Sequence, residues 1–296
     1  MGEEGSGDRR VQAYNFRMCT TDVPENRLDW VKPANYDERW FELALRNVEA
    51  GDERISWAPT PMPNRKTDTN NNFAVSTDFI GQNWDYPDAD YATRARIWKA
   101  DQEFMRGMTH FLRTDDCVPD KFKQLAAELG FQRGIFDETG GWPHQLYVRE
   151  ARRMRSEYVL TQKDLEGSTN PEDSIGLASY GVDDWPYATY ALDGKVALYG
   201  GEFSMLYLDS KHEGIYKIPY RVITPKQSEC TNLLVPVCVS ASHIAMTSIR
   251  MEPVWMILGE SAGVAAAMAV TENTPVQRVP YAGLQVKLLA LKQKLA

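Results

Sequence analysis

Cysteine and histidine are both scarce, with four of each in 296 residues. Cys19, Cys117, Cys230 and Cys238 form no CxxC, and the closest pair, Cys230 and Cys238, lacks ligand spacing for zinc or an iron–sulfur cluster. No metal site is therefore expected, and the thiols read as packed or idle groups of a reducing compartment. There is no HExxH, which leaves a zincin without its signature. No GxGxxG follows a strand, and Gly2, Gly5 and Gly7 cannot serve as a dinucleotide fingerprint. No Lys/Arg block long enough for counterion-release affinity is present, and 33 basic against 41 acidic residues give a net charge of −8. That balance argues against a nucleic-acid partner, because the counterion-release term is missing. The N-terminal MGEEGSGDRR has no apolar core, so no secretory leader is expected and the cytoplasm is the default location. The one long apolar run, Pro253 to Val270, carries Glu260, is built largely of small residues and lacks basic flanks. It is expected to be a buried helix rather than a membrane span.

What is present is ordinary for a globular protein: 43% hydrophobic and 25% charged residues. The length suggests about two domains of roughly 150 residues. Val11 to Thr20 alternates in the manner of a strand, and Tyr36 to Glu49 has helical spacing ended by Gly51. Pro59 to Pro87 reads as a long loop, since PTPMPNRKTDTNNN has prolines and no apolar period. The longest helical pattern is Asp90 to Arg113, where Ile97, Phe104 and Phe111 repeat every seven residues. A shorter helix follows over Asp120 to Leu129, stopped at Gly130. Asp137 to His144 is a turn, and short strands are expected at EYVLT, within Trp185 to Tyr199 and over Ile215 to Thr224. Asn232 to Val239 (NLLVPVCV) has the continuous apolar character of a strand buried on both faces. A polar loop, SASHIAMTSIR, leads to a helix over Met251 to Val270, with Thr247 and Ser248 as candidate N-caps. Tyr281 to Leu295 is amphipathic, with Leu284, Leu288, Leu291 and Leu295 on one face.

Three groups of residues can carry chemistry. The start of the Met251 to Val270 helix offers unpaired N–H groups, and Arg250 adds a full positive charge beside it. The small residues Gly259, Ala262, Gly263, Ala266 and Ala267 let a backbone or a flat ligand approach that helix. His243, in the preceding loop, has the titration range of a proton-transfer group or is a hydrogen-bonded structural histidine. Arg149, Arg152, Arg153 and Arg155 follow His144 and a Gly-Gly-Trp-Pro turn. They suit clamping of a carboxylate or phosphate, or pairing with Glu150 and Glu157.

Three segments carry a family likeness: GGWPHQLYVREARRM, IPYRVITPK and NLLVPVCVSASHIAMTSIRMEPVWMILGESAGVAAAMA. With KTDTNNNFAVSTDFIGQNWDYPDADY, they resemble the FAD-dependent oxidoreductases of the glutathione-reductase-like superfamily, in the branch of heterodisulfide-reductase-like flavoproteins. The likeness runs from about Arg10 to Leu295. It implies an α/β protein, α+β within this chain. A substrate-side domain with antiparallel strands, helices and a helical insert would occupy residues 1–214. Residues 215–296 would supply the C-terminal strand and helix of a Rossmann-like FAD domain.

The resemblance further implies FAD as cofactor and flavin-mediated hydride transfer from an organic substrate. Val239, Ser240, Ala241, Ser242 and His243 would fall in the cofactor-facing loop, and Ile249, Arg250, Met251 and Glu252 at the helix start. The loop VCVSASH departs from the Gly-Asp form usual in that superfamily. His243 would handle a proton near the ring, and Arg250 would stabilise negative charge on the reduced flavin. His144, Arg149 and Arg152 would orient an anionic or polyhydroxylated small molecule. The absent glycine-rich turn makes the chain resemble a C-terminal portion of such a protein. That carries two expectations: an inactive binding or structural module that does not hold FAD, and self-association through an exposed sheet edge. The many Trp, Tyr and Asn residues also leave a carbohydrate-binding or carbohydrate-active reading open, although no carboxylate pair stands out for it.

Overall fold

A computed structural model describes residues 6–52, 54, 56–72, 75–200 and 214–296. Gly2 and Gly5 lie outside the described residues. The chain divides into two units: Met1–Val148 with Pro186–Tyr199, and Arg149–Trp185 with Gly200–Ala296. This division does not coincide with the boundary after residue 214 drawn from sequence. The fold is mixed α and β with antiparallel sheets, as expected.

The first unit is built on β1 (Met18–Thr21), β2 (Arg27–Leu28), β3 (Trp57–Met62), β4 (Lys66–Asn71) and β5 (Gly130–Gln132), in the order β2-β5-β1-β4-β3. All the neighbours are antiparallel. The stretch expected as a loop after Pro59 is therefore a hairpin. Pro59 and Pro61 are tolerated because β3 is an edge strand, where an absent N–H need not break the ladder. Asn64 and Arg65 take positive φ and turn the chain. Of the strand expected over Val11 to Thr20, only the end pairs regularly. Gly130 is required where β5 meets β2, since a Cβ there would sit 2.5 Å from the Leu28 carbonyl oxygen.

Helix α1 (Glu42–Glu49) is entered through a 3-10 turn, Glu38–Phe41. Helix α2 (Tyr91–Thr114) starts where the Asp90 side chain accepts from Thr93 N, and α3 (Asp120–Glu128) follows. The heptad positions Phe104, Met105, Phe111 and Leu112 of α2 are buried, with Met108 between them. They join Phe41, Phe16, Phe131 and Trp142 in one aromatic core.

In the second unit, α4 (Gln162–Leu165) precedes β6 (Ser174–Ala178). The chain then contributes the hairpin β7 (Ala188–Leu192) and β8 (Lys195–Tyr199) to the first unit. Its two-residue Asp193–Gly194 loop has positive φ at both positions, as such a turn requires. Back in the second unit, β9 (Tyr216–Pro219) pairs with β6. Helices α5 (His243–Ile249), α6 (Glu252–Thr271) and α7 (Tyr281–Ala290) complete it.

Several expectations for this unit are corrected. EYVLT makes a single parallel bridge, Leu160 to Ala241, instead of a strand. Asn232 to Val239 is not a buried strand: Leu233 and Val237 are exposed, and Pro236 deprives the run of a ladder donor. SASHIAMTSIR is mostly helix α5, capped by Ser242, because Ser outranks its neighbours as a side-chain acceptor for free N–H groups. Thr247 and Ser248 lie inside α5, and Met251 is the N-cap of α6.

The apolar run is a helix with only one buried face, formed by Val254, Leu258, Ser261, Ala262, Ala265, Met268 and Ala269. Gly259, Gly263, Ala266 and Ala267 are not buried. By length and composition α6 is the one helix among the described residues able to cross a membrane, with 39% of its apolar window buried. In α7, Leu284 and Leu288 are buried, while Leu291, the residue after its last turn, is exposed.

Candidate functional site

Ser242, His243, Ile249 and Arg250 of the second unit all belong to α5 or its caps. Ser242 accepts from Ala245 N at 3.3 Å and so fixes where the helix begins. His243 is its first residue. Its Nδ1 lies 2.8 Å from Oε2 of Glu150, and its Nε2 lies 3.6 Å from Oδ1 of Asp184. Both carboxylate side chains are 1% exposed. Arg153 Nη1 reaches the same Glu150 oxygen at 3.2 Å, and Arg153 Nε donates to the Ala241 carbonyl at 3.1 Å.

Burial alone would depress the His243 pKa. The Asp184 and Glu150 carboxylates outweigh it and push the value up to about 9. His243 is therefore an imidazolium at neutral pH, with both nitrogens directed at acceptors, rather than a group titrating in its ordinary range.

Arg250 caps the other end of α5 and is 2% exposed. It was expected to add charge at the start of α6. Instead its Nη2 donates to the Asp183 carbonyl at 3.0 Å and lies 3.2 Å from Oδ2 of that residue. Its Nε is buried with no hydrogen-bond acceptor among the described residues. Asp183 N donates to the Thr247 carbonyl at 3.3 Å, which lays residues 183–184 along the helix.

The substrate-side candidates are not gathered in one unit. His144 belongs to the first unit, half-exposed, with Nε2 2.8 Å from Glu138 Oε1 and its ring edge-on to Phe136. Arg149 and Arg152 belong to the second. Arg149 is 1% exposed, with its guanidinium 5.0 Å from the Trp185 ring centre. Arg152 is exposed.

The loop proposed to face a cofactor spends its polar groups within the chain. Ser240 N donates to the Val222 carbonyl at 2.9 Å, and Ser240 Oγ accepts from Ser156 N at 3.1 Å. Ser242 N donates to the Leu160 carbonyl at 2.8 Å. The Ala241 carbonyl is held by Arg153. Val239 and Ile249 are fully buried. At the start of α6, Pro253 has no N–H, Val254 N and Trp255 N both bond the Met251 carbonyl, and Glu252 places a carboxylate there. A pyrophosphate needs several free, convergent donors. Residues 239–242 and 249–252 do not present them, so these residues do not fit the cofactor in this arrangement, and no reaction step is derived through it.

Glu150, Asp183, Asp184 and Trp185 were not singled out by sequence reasoning as site residues. The pairing of His243 with Glu150 spans 93 positions. The only local signal was an Asp-Asp-Trp run inside a turn-rich stretch. Elsewhere in the second unit, a groove of about 700 Å³ is lined by Lys217, Tyr281, Lys292 and Lys294, and by none of the candidates.

The family model described as FAD dependent oxidoreductase matches residues 3–288. No curated protein and no solved structure matches the chain.

Proposed function

Because the chain belongs to the FAD dependent oxidoreductase family, we propose that it acts in the flavin-linked oxidation of an organic small molecule, a reaction of the hydride-transfer class. Membership implies FAD as the cofactor and a general oxidoreductase function. The observation that carries the reading is the extent of the match, which covers both units. The finer placement in the heterodisulfide-reductase-like branch rests on the quoted C-terminal segment and belongs to the proposal.

Within this reading, Arg152 is the exposed group of the second unit suited to an anionic or polyhydroxylated substrate, with Arg149 buried in the same unit, and His144 is an exposed group of the first unit. His243 handles a proton only together with Glu150 and Asp184, since those carboxylates face its two nitrogens. A second reading, a non-catalytic module that does not hold FAD, is favoured by the internally spent donors of residues 240–242.

Reconstitution with excess FAD separates the two. The first reading expects retained flavin absorbance after gel filtration and a rise in Tm with added FAD. A colourless protein whose Tm ignores FAD overturns it for this chain and leaves the second.

A further inference from the structure

The segment 149–185 begins with Arg149 and Glu150 and ends with Asp184 and Trp185, the positions where the chain enters and leaves the second unit. Those four residues meet in pairs. Arg149 lies over the Trp185 ring, and Glu150 and Asp184 face opposite nitrogens of the one imidazole. Helix α5 secures the same end twice: His243 at its first residue takes Asp184, and Arg250 at its C-terminal cap takes Asp183. Seven residues make a helix of about 10 Å. The two cations therefore stand at opposite ends of a short rod, and consecutive aspartates of the segment running alongside it reach one each.

We infer that Glu150, His243 and Asp184 form an ionic clasp that ties the two ends of segment 149–185 together, with His243 as its fixed cation. The charges around the imidazole support it. Glu150 faces both His243 and Arg153, and Asp184 faces His243 from the other side. Nearby, Arg250 is matched by Asp183, and Arg149, over the Trp185 ring, adds a second buried cation at this end of the segment. A neutral imidazole would take one cation from between two buried carboxylates, and like charges at such a site repel strongly. The clasp depends on this chain's own side chains and stands whether or not the chain holds FAD.

The sign of the pH dependence follows from a folded-state pKa raised above the ordinary 6.5. The stabilisation is complete below about pH 6.5 and is lost as pH rises through about 9. The test is nitrogen-detected NMR of the ¹⁵N-histidine-labelled chain, which has only four histidines, with His243→Gln to identify the signal. The clasp expects both His243 nitrogens protonated at pH 7.5 and a midpoint near 9. Glu150→Gln and Asp184→Asn should each lower that midpoint by about one unit or more.

Limited trypsin digestion supplies a second readout. Cleavage after Arg149, Arg152 and Arg153 should rise at least about tenfold in His243→Gln, since the open state gains population in proportion to the lost stability. His243→Lys should restore protection in part. A midpoint near 6.5, or one indifferent to both carboxylate variants, overturns the clasp. Should His243→Gln fail to fold, the response of the titrating signal to Glu150→Gln decides the matter alone.

Discussion

The two units bury their interiors by different means. In the first, aromatic rings do most of the filling. Phe79 stacks on Phe104 at 4.3 Å, Phe41 lies between Phe104 and Phe111, and Trp142 meets Phe16 and Phe131 edge-on. Several of its ion pairs, such as Arg46 with Glu42, sit at the surface. In the second, aliphatic and small side chains of α5, α6 and α7 fill the core, and its tyrosines are tied at their hydroxyls. Tyr216 bonds Ser248 at 2.8 Å and Tyr220 bonds the Val276 carbonyl at 2.8 Å, with burial pushing both phenols up. Charges that would be surface pairs elsewhere are here buried against one helix. The difference teaches where single substitutions should matter. Aromatic volume governs the first unit, and charge balance governs the second.

The sharpest way to break that contrast is Trp142→Ala, which removes a fully buried indole from the aromatic core. It should cost about 3–5 kcal/mol by urea denaturation, with faster hydrogen exchange concentrated in β1, β5 and α2. A loss below about 1 kcal/mol would mean that ring packing does not govern the first unit. Next is Asp183→Ala, which leaves the Arg250 guanidinium buried with only a carbonyl acceptor. The expected cost is about 3 kcal/mol, the lower end for a broken buried pair, because that carbonyl remains and the Asp183 side chain is itself 26% exposed. An unchanged denaturation midpoint would remove the buried charge of the second unit from its stability. The smallest effect is expected from Glu42→Gln, which breaks the exposed Glu42–Arg46 pair. It should shift stability by no more than about 0.5 kcal/mol. A larger loss would erase the distinction between the two kinds of ion pair.

How much of this was legible in sequence depends on the range of the forces involved. Helix α2 was readable because its seven-residue spacing of Ile97, Phe104 and Phe111 is local, as is the hydrogen bond by which Asp90 caps it. The Asp137 to His144 turn was readable for the same reason: Gly140 and Gly141 both take positive φ. Strand β4 was not, because the KTDTNN run has no apolar alternation and becomes a strand only between β1 and β3. The run Asn232 to Val239 misled in the opposite direction. Its composition asked for a two-sided burial that its surroundings do not supply. His243 and Arg250 were singled out for their chemistry, yet their partners Asp184 and Asp183 lie 59 and 67 positions away and carry no local mark.

Composition and spacing by themselves determined a globular chain of long helices and short strands, and the quoted segments added a likeness to FAD-dependent oxidoreductases, which implied the α/β class with antiparallel strands. The family match bears out that likeness at the family level. Only the tertiary structure decided that residues 240–242 spend their donors inside the second unit, and that the two ring nitrogens of His243 face the Glu150 and Asp184 carboxylates. The physical reason is that a hydrogen-bond donor or a titratable ring has no fixed role until its solvent is replaced. Which group replaces the water, and at what distance, is settled by chain segments remote in sequence.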